Sequence, residues 1–349
     1  MSSTIRAAAV QAEPRWFDLD AGVTKVIDYI AQAADGGAQI VAFPEVFIPG
    51  YPWWIWVDTP AAGMQFVPRY AQNSMTRDGE HLTRIAAAAA DNDIFVVVGF
   101  AERAGGSLYM AQAIIDNTGE IIAVRRKLKP THVERSVYGE GDGSDIRVHD
   151  TAIGRVGALN CAEHIQPLTK YAMFSQNEQI HVASWPSFSV YRGAAQALSA
   201  EANNAASLVY ALEGQTFVLA PCALISEAGL EIFCGDDPHK RQLLRPGGGF
   251  TQIYGPEGST LAQPLPETEE GIMYADLDFD LLDIAKAAYD PVGHYSRPDV
   301  FRLIFNSSPN PWVHEITSGN GISEPKVPGT DLPAGHDHIG QICPVPESD

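Results

Sequence analysis

Positive charge is scarce in this chain, where 23 Lys and Arg face 43 Asp and Glu for a formal charge of −20. Such a surface repels a phosphate backbone, which excludes nucleic acid as a partner. Cysteine is scarcer, with only Cys161, Cys222, Cys234 and Cys343 and no CxxC pair in 349 residues. That spacing builds no disulfide framework, so free thiols are expected and one of them is available for chemistry. Long apolar runs are also missing. No stretch approaches the length that crosses a bilayer, and Met1-Ser2-Ser3-Thr4-Ile5-Arg6 carries no basic stretch followed by an apolar block. A cytoplasmic protein with no membrane partner is expected. His132, His149, His164 and His181 lack the spacing of metal ligands, so neither a metal nor a cofactor is expected.

With 45% hydrophobic and 19% charged residues, the chain has the make-up of a folded globular protein. Its apolar segments alternate in period. Ile5 to Val10 is a short apolar run, Leu19 to Asp35 reads as a helix stopped by Gly36-Gly37, and Gln39 to Phe43 reads as a buried strand ending at Pro44. A helix Gly79 to Asn92 and a strand Ile94 to Phe100 repeat the alternation, the mark of a layered α/β domain. Strands Leu108 to Ile115 and Ile121 to Arg126 join through Asn117-Thr118-Gly119 as a hairpin. Strand Arg155 to Asn160 runs into Cys161 and a helix from about His164 to Gln176; strand Ile180 to Ser184, helix Gly193 to Leu212 and strand Phe217 to Pro221 follow. From Asn306 to Asp349 the chain is rich in Pro, Gly, Ser and Asp and reads as a tail, disordered or lying on a neighbouring subunit.

A cysteine taken alone is more often structural than reactive. Cys161 differs because it falls at a strand-to-helix turn, where backbone N–H groups favour a thiolate and can receive developing negative charge. Glu45 follows a buried strand, an apolar setting that raises a carboxyl pKa and suits it to proton transfer. Arg125-Arg126-Lys127-Leu128-Lys129 closes another strand with positive charge. A Glu, a Lys and a Cys, each just past a strand, would supply base, cation and nucleophile at one sheet edge.

The segments Phe43-Pro44-Glu45-Val46-Phe47-Ile48-Pro49-Gly50-Tyr51-Pro52, Arg126-Lys127-Leu128-Lys129-Pro130-Thr131-His132-Val133-Glu134-Arg135 and the stretch around Cys161 resemble the nitrilase branch of the carbon–nitrogen hydrolase superfamily. The resemblance covers about Ile5 to Phe305, extends through His181 to Pro186, Tyr210 to Thr216 and Gly293 to Asp299, and sets a hydrolase domain over 1–305 with the tail at 306–349. It implies a four-layer αββα sandwich, pairing into homodimers that extend into spirals or helical filaments. It implies that Glu45, Lys127 and Cys161 form a catalytic triad supported by Glu134. Cys161 would attack a nitrile to give a thioimidate, then a thioester, then a carboxylic acid and ammonia. Tyr51, Trp53, Trp54, Trp56, Trp185 and Phe188 are candidate pocket residues, with Ala162 and His164 beside the nucleophile. Nitrilases usually carry Trp where this chain has Ala162, so a roomier pocket is expected, with arylacetonitrile- or mandelonitrile-like substrates and some amide by-product. An amidase of the same superfamily and a non-catalytic, filament-forming relative remain the alternatives.

Overall fold

The computed structural model describes residues 4–311. Alternate side chains of its first strand, β1 (Thr4–Ala12), serve two different cores, as the two-residue period of a strand dictates. Ala8 and Val10 pack with Val23, Val26 and Ile30 of helix Leu19–Asp35 and with Leu82 and Ile85 of helix Glu80–Asp91. Ala7 and Ala9 face the other way, into a core shared with Val156, Ala158, Val182, Phe217 and Leu219 of a second sheet. That second sheet turns Leu159, Ala183, Val218 and Ala220 to Met173 and Phe174 of helix Pro167–Phe174 and Tyr210 and Ala211 of helix Ala200–Gly214. The result is the αββα sandwich expected from the sequence.

In the first sheet β1 is followed by β2 (Ile40–Ala42), β3 (Phe95–Ala104), β4 (Ser107–Ile115) and β5 (Ile121–Arg126), with β6 (Tyr138–Gly139) beside β4. The second contains β7 (Val148–Thr151), β8 (Gly154–Asn160), β9 (Ile180–Ser184) and β10 (Phe217–Ala220). The short β11 (Cys222–Ala223) returns to the first sheet, β12 (Gln252–Tyr254) edges the second, and β13 (Gly271–Asp278) pairs antiparallel with β1. β1, β2 and β3 are parallel; β4 reverses and β5 reverses again. The chain therefore leaves β2 and β5 at the same edge of the sheet.

Two expected helices are shorter than their apolar patterns. The one after Cys161 is interrupted by Pro167, which cannot donate a backbone N–H and holds Gln166 extended (φ −99°, ψ 104°). A 3₁₀ turn, Cys161–Ile165, and the separate helix Pro167–Phe174 result. The helix expected from Gly193 starts only at Ala200, where the Ser199 hydroxyl caps it by accepting from Ala202 N at 3.2 Å. Of the tail expected over 306–349, residues 312–349 lie outside the described residues.

One glycine sets how closely the segment after β2 approaches the sheet. A Cβ on Gly99 of β3 would lie 2.3 Å from the Pro44 carbonyl oxygen and 2.9 Å from Val46 N, both backbone atoms. Gly99→Ala is expected to cost about 1 to 3 kcal/mol through overpacking. Denaturant unfolding would check it, and an unchanged midpoint would show that the Pro44–Val46 turn moves freely.

Candidate active site

Glu45 lies three residues past β2, Lys127 directly follows β5, and Cys161 directly follows β8. The Lys127 ammonium, fully buried, donates to Glu45 Oε1 at 2.9 Å and to Glu134 Oε2 at 2.8 Å. Glu134 comes from the 3₁₀ turn His132–Ser136, and it also accepts from Thr131 N at 2.5 Å and from the Tyr51 hydroxyl at 2.7 Å. Trp56 Nε1 in turn donates to that hydroxyl oxygen at 3.0 Å. Cys161 Sγ and one oxygen from each carboxylate all lie within 4.8 Å of one another. Glu45 Oε2 is buried and has no hydrogen-bond partner among the described residues.

The electrostatics follow from burial. Desolvation raises the Glu45 carboxyl well above the usual carboxylate range, against the pull of Lys127. Desolvation, with the Glu45 charge, also pushes the Cys161 thiol up, while Lys127 and the Ala162 backbone N–H favour the thiolate. Burial works against the Lys127 ammonium, but the charges of Glu134 and Glu45 outweigh it and hold the ammonium protonated. The three potential ligand atoms of Glu45, Glu134 and Cys161 are close enough to grip a cation. Lys127 already bonds both carboxylates and supplies that positive charge itself.

Backbone strain concentrates here. Val46, His132 and Cys161, neighbours or members of the cluster, have φ of 46°, 47° and 45°, the left-handed region that bulky side chains rarely adopt. The surroundings hold these turns in place. Glu45 N donates to the Trp185 carbonyl at 3.2 Å, tying the turn after β2 to the end of β9. The 3₁₀ turn of Cys161 is anchored by Glu163, fully buried, which accepts from Asn160 N at 2.7 Å, Leu128 N at 2.9 Å and Arg125 Nη2 at 2.8 Å. Arg125 continues to Gln112 Oε1 at 2.8 Å, and Gln112 to Ser184 Oγ at 2.9 Å. One polar seam thus joins the ends of β5, β8 and β9.

Cys161 opens on a cavity of about 40 Å³, lined by Tyr51, Trp53, Trp56, Glu134, Phe188 and Leu198 among others. That is room for a few water molecules. Tyr51, Trp53 and Phe188 thus fall where the sequence expected pocket residues. Trp54, Trp185, Ala162 and His164 do not line the cavity. Trp54 stacks on Phe17 and Phe66 and meets Tyr70 edge-on, on the side of the shared aromatic cluster away from the cavity-lining Tyr51 and Trp53. Trp185 is buried with its Nε1 donating to Ser207 Oγ at 2.9 Å, and His164 is buried beneath the Cys161 turn. Since Ala162 does not line the cavity, the expectation that its small side chain widens the pocket has no footing in this geometry. The sequence assigns no role to Glu163 and shows Arg125 only as part of the positive charge that closes a strand. The signal available was Glu163 two residues past the cysteine, needing a cation of its own if buried.

Comparison with known proteins gives a consistent set of relatives. The carbon-nitrogen hydrolase family matches residues 6–287. A nitrilase from Pseudomonas syringae pv. syringae is 55% identical, covering 90% of this chain and 94% of its own. An aliphatic nitrilase from Rhodococcus rhodochrous is 56% identical over 87% of this chain and 83% of its own, and an arylacetonitrilase from Aspergillus kawachii is 47% identical over 90% and 96%. Among solved structures, a carbon-nitrogen hydrolase from Helicobacter pylori G27 superposes with a TM-score of 0.68 at 16% identity, covering 85% of this chain and 96% of its own.

The buried Arg125–Glu163 pair carries a stability prediction. Arg125→Leu leaves the Glu163 carboxylate buried without its cation and is expected to cost about 3 to 5 kcal/mol in chemical unfolding. Burial opposes ionisation of Glu163, but Arg125 outweighs it and holds the carboxyl below its ordinary value. The stabilisation is therefore full above the ordinary carboxylate range and is lost as pH falls through the lowered value. Equal acid sensitivity in wild type and Arg125→Leu would contradict this.

Proposed function

The chain belongs to the carbon–nitrogen hydrolase family, in its nitrilase branch, and from that premise we propose that it hydrolyses an organic nitrile to a carboxylic acid and ammonia with Glu45, Lys127, Cys161 and Glu134 as the working residues. The observation that carries this reading is a partly exposed cysteine whose sulfur lies within 4.8 Å of two buried carboxylates that share one ammonium, at the wall of a cavity. Glu45 takes the thiol proton and Cys161 Sγ attacks the nitrile carbon, giving a thioimidate once the nitrogen is protonated. Water adds to the thioimidate, and the tetrahedral intermediate expels ammonia to leave a thioester, which a second water hydrolyses to the acid. Lys127 stabilises negative charge as it develops, and Glu134, held by Tyr51 and Thr131, fixes where that ammonium sits. Collapse of the tetrahedral intermediate with loss of the thiolate instead releases an amide, which we propose as a minor product.

For the substrate, the aromatic walls Tyr51, Trp53, Trp56 and Phe188 favour an arylacetonitrile- or mandelonitrile-like group stacked beside the nitrile. The cavity of about 40 Å³ favours a second reading, a short aliphatic nitrile, unless the Trp56 and Leu198 edge draws back. The free thiols Cys161, Cys222 and Cys234 support a cytoplasmic setting. We take 1–305 as the hydrolase domain and 306–349 as an appended tail.

Cys161→Ala is expected to abolish turnover, and mass spectrometry of wild-type enzyme quenched with a nitrile should find the added mass on the Cys161 peptide. An adduct on Cys222 or Cys234, or turnover by the variant, would reject the assignment. Because Glu45 acts ionised and its pKa is raised, kcat/KM should climb with pH through that raised value, and Glu45→Gln should remove the climb along with most of the rate. A panel running from acetonitrile to phenylacetonitrile, with acid and amide both quantified, separates the two substrate readings.

We further propose that the chain pairs with a second copy. Ile165 and Leu168 are 63% and 70% exposed, with Leu212 also exposed on the neighbouring helix, an apolar strip on an otherwise acidic protein. Leu168→Glu should lower the mass found by light scattering; an unchanged mass would place any self-association elsewhere.

A further inference from the structure

Behind the nucleophile lies a line of buried titratable groups that the reaction above does not use. The Cys161 carbonyl faces His164 Nδ1 at 2.7 Å, His164 Nε2 faces His181 Nε2 at 2.9 Å, and His181 Nδ1 faces Glu178 Oε1 at 2.7 Å. At the far end the Tyr210 hydroxyl donates to Glu178 Oε2 at 2.7 Å. Beyond Cys161 the line is packed tightly: Glu178, His181, His164 and Tyr210 are essentially inaccessible, and Tyr210 stacks on the His181 ring at 3.9 Å. Gly157 of β8 makes the space, since a Cβ there would lie 1.9 Å from Glu178 Oε1.

Hydrogen-bond directions in this line are forced from one end. A carbonyl only accepts, so His164 must carry its proton on Nδ1. Its Nε2, when the ring is neutral, is then an acceptor, and His181 must donate from Nε2. His181 Nδ1 is left as an acceptor facing Glu178, so the carboxyl group must bring the last proton. Passing that proton to His181 as an imidazolium keeps the same count and changes only the Glu178–His181 bond, where Nδ1 becomes the donor, while the bonds toward Cys161 keep their directions. Removing it does not: an ionised Glu178 calls for N–H on His181 Nδ1, every bond reverses, and His164 turns a lone pair on the Cys161 carbonyl. We propose that Glu178, His181 and His164 form a one-proton relay that fixes the strained backbone of Cys161 and so act as positioning residues for the nucleophile.

Burial supports this proton count. With only the Tyr210 hydroxyl to favour ionisation, burial pushes Glu178 up to about 8, and burial holds both histidines well below their ordinary value. Arg125 and Glu163 are the charged groups that act on the two rings, Arg125 against a second proton and Glu163 for it. The relay has a purpose at Cys161 because φ there is 45°, a conformation that the chain does not hold without an external grip.

The inference rests on Cys161 being the nucleophile, and two kinds of readout keep the claims separate. Glu178→Gln keeps the polarity, since its amide N–H can donate to His181 Nδ1 and its carbonyl can accept from Tyr210, but it cannot ionise. Glu178→Leu supplies no donor at all. In nitrile turnover Glu178→Gln should keep kcat near the wild-type value at pH 7 and, apart from the Glu45 ionisation that the two enzymes share, should not lose it toward pH 9, so the ratio of wild-type to Glu178→Gln kcat should drop as pH rises through about 8; Glu178→Leu should fall by about tenfold or more. In thermal unfolding, which needs no substrate, wild type should lose stability relative to Glu178→Gln as pH rises from the ordinary carboxylate value toward 8, a Tm gap on the order of 5 °C across two pH units. Superimposable pH profiles and a constant Tm gap for wild type and Glu178→Gln would overturn the relay, even if Glu178→Leu does not fold. No nitrile turnover by wild type, with the Tm gap as expected, would instead reject the assigned activity and leave the relay standing.

Discussion

One ammonium held dry between two carboxylates is the constraint around which this structure is arranged. Two carboxylate oxygens within 4.8 Å repel by about 3 to 4 kcal/mol at an effective dielectric of about 20, so Glu45 and Glu134 cannot both stay ionised there unaided. Lys127 relieves that repulsion by bonding both, and a lysine so placed cannot leave without stranding two charges. The three segments that carry these residues must therefore arrive together, and the sheet makes this possible because β2 and β5 run the same way. Cys161, brought from the other sheet, meets a group in which one ammonium offsets one of two carboxylate charges, and that remaining negative charge decides how easily the thiol proton can be handed over.

The ends of strands were the legible part of the sequence. Strands ending just before Pro44-Glu45, Lys127 and Cys161 marked where the members of the cluster leave the sheets, because a strand's period constrains its body while leaving its terminus free to carry chemistry. The four-layer arrangement was legible only through the family resemblance, because Ile5 to Val10 reads as one apolar run and its alternation between two cores shows only in the fold. What stayed hidden was whatever depended on a partner distant in the chain. Arg125 reads as one of a run of cations at a strand end, yet it is buried against a carboxylate 38 residues away. The histidines His164 and His181 carried no ligand spacing, and only folding brings their ring nitrogens to 2.9 Å. Trp54 and Trp53 are neighbours in sequence and belong to different tasks, one in an aromatic core and one at the cavity, a split that composition cannot express.

Strain and support occur in pairs at this site. Each left-handed residue, Val46, His132 or Cys161, sits beside a buried hydrogen-bonded group that holds it: the Trp185 carbonyl for the turn at Glu45, the Thr131 bond to Glu134, and Glu163 with His164 at the cysteine. A turn pinned from two sides loses little entropy when substrate arrives, and its N–H groups are aimed beforehand. The Arg125–Gln112–Ser184 seam serves the same end across the two sheets, because it leaves neither sheet free to slide against the other at the edge where they share a reacting centre.

The cavity wall has a different origin from the charges it surrounds. Trp53 and Trp56 come from the stretch after Tyr51, Phe188, Val190 and Leu198 from the stretch between β9 and the following helix, and Asn203 from the first turn of that helix; of these side chains Trp56 alone reaches the charged cluster's supports, through Tyr51. Mutations at Trp53, Phe188, Val190 and Leu198 remove no hydrogen bond from the buried ions, so the shape of the molecule accepted can drift over generations while the bond-breaking apparatus stays fixed. A lineage built this way is free to diversify its diet by small steps, each of them selectable on its own.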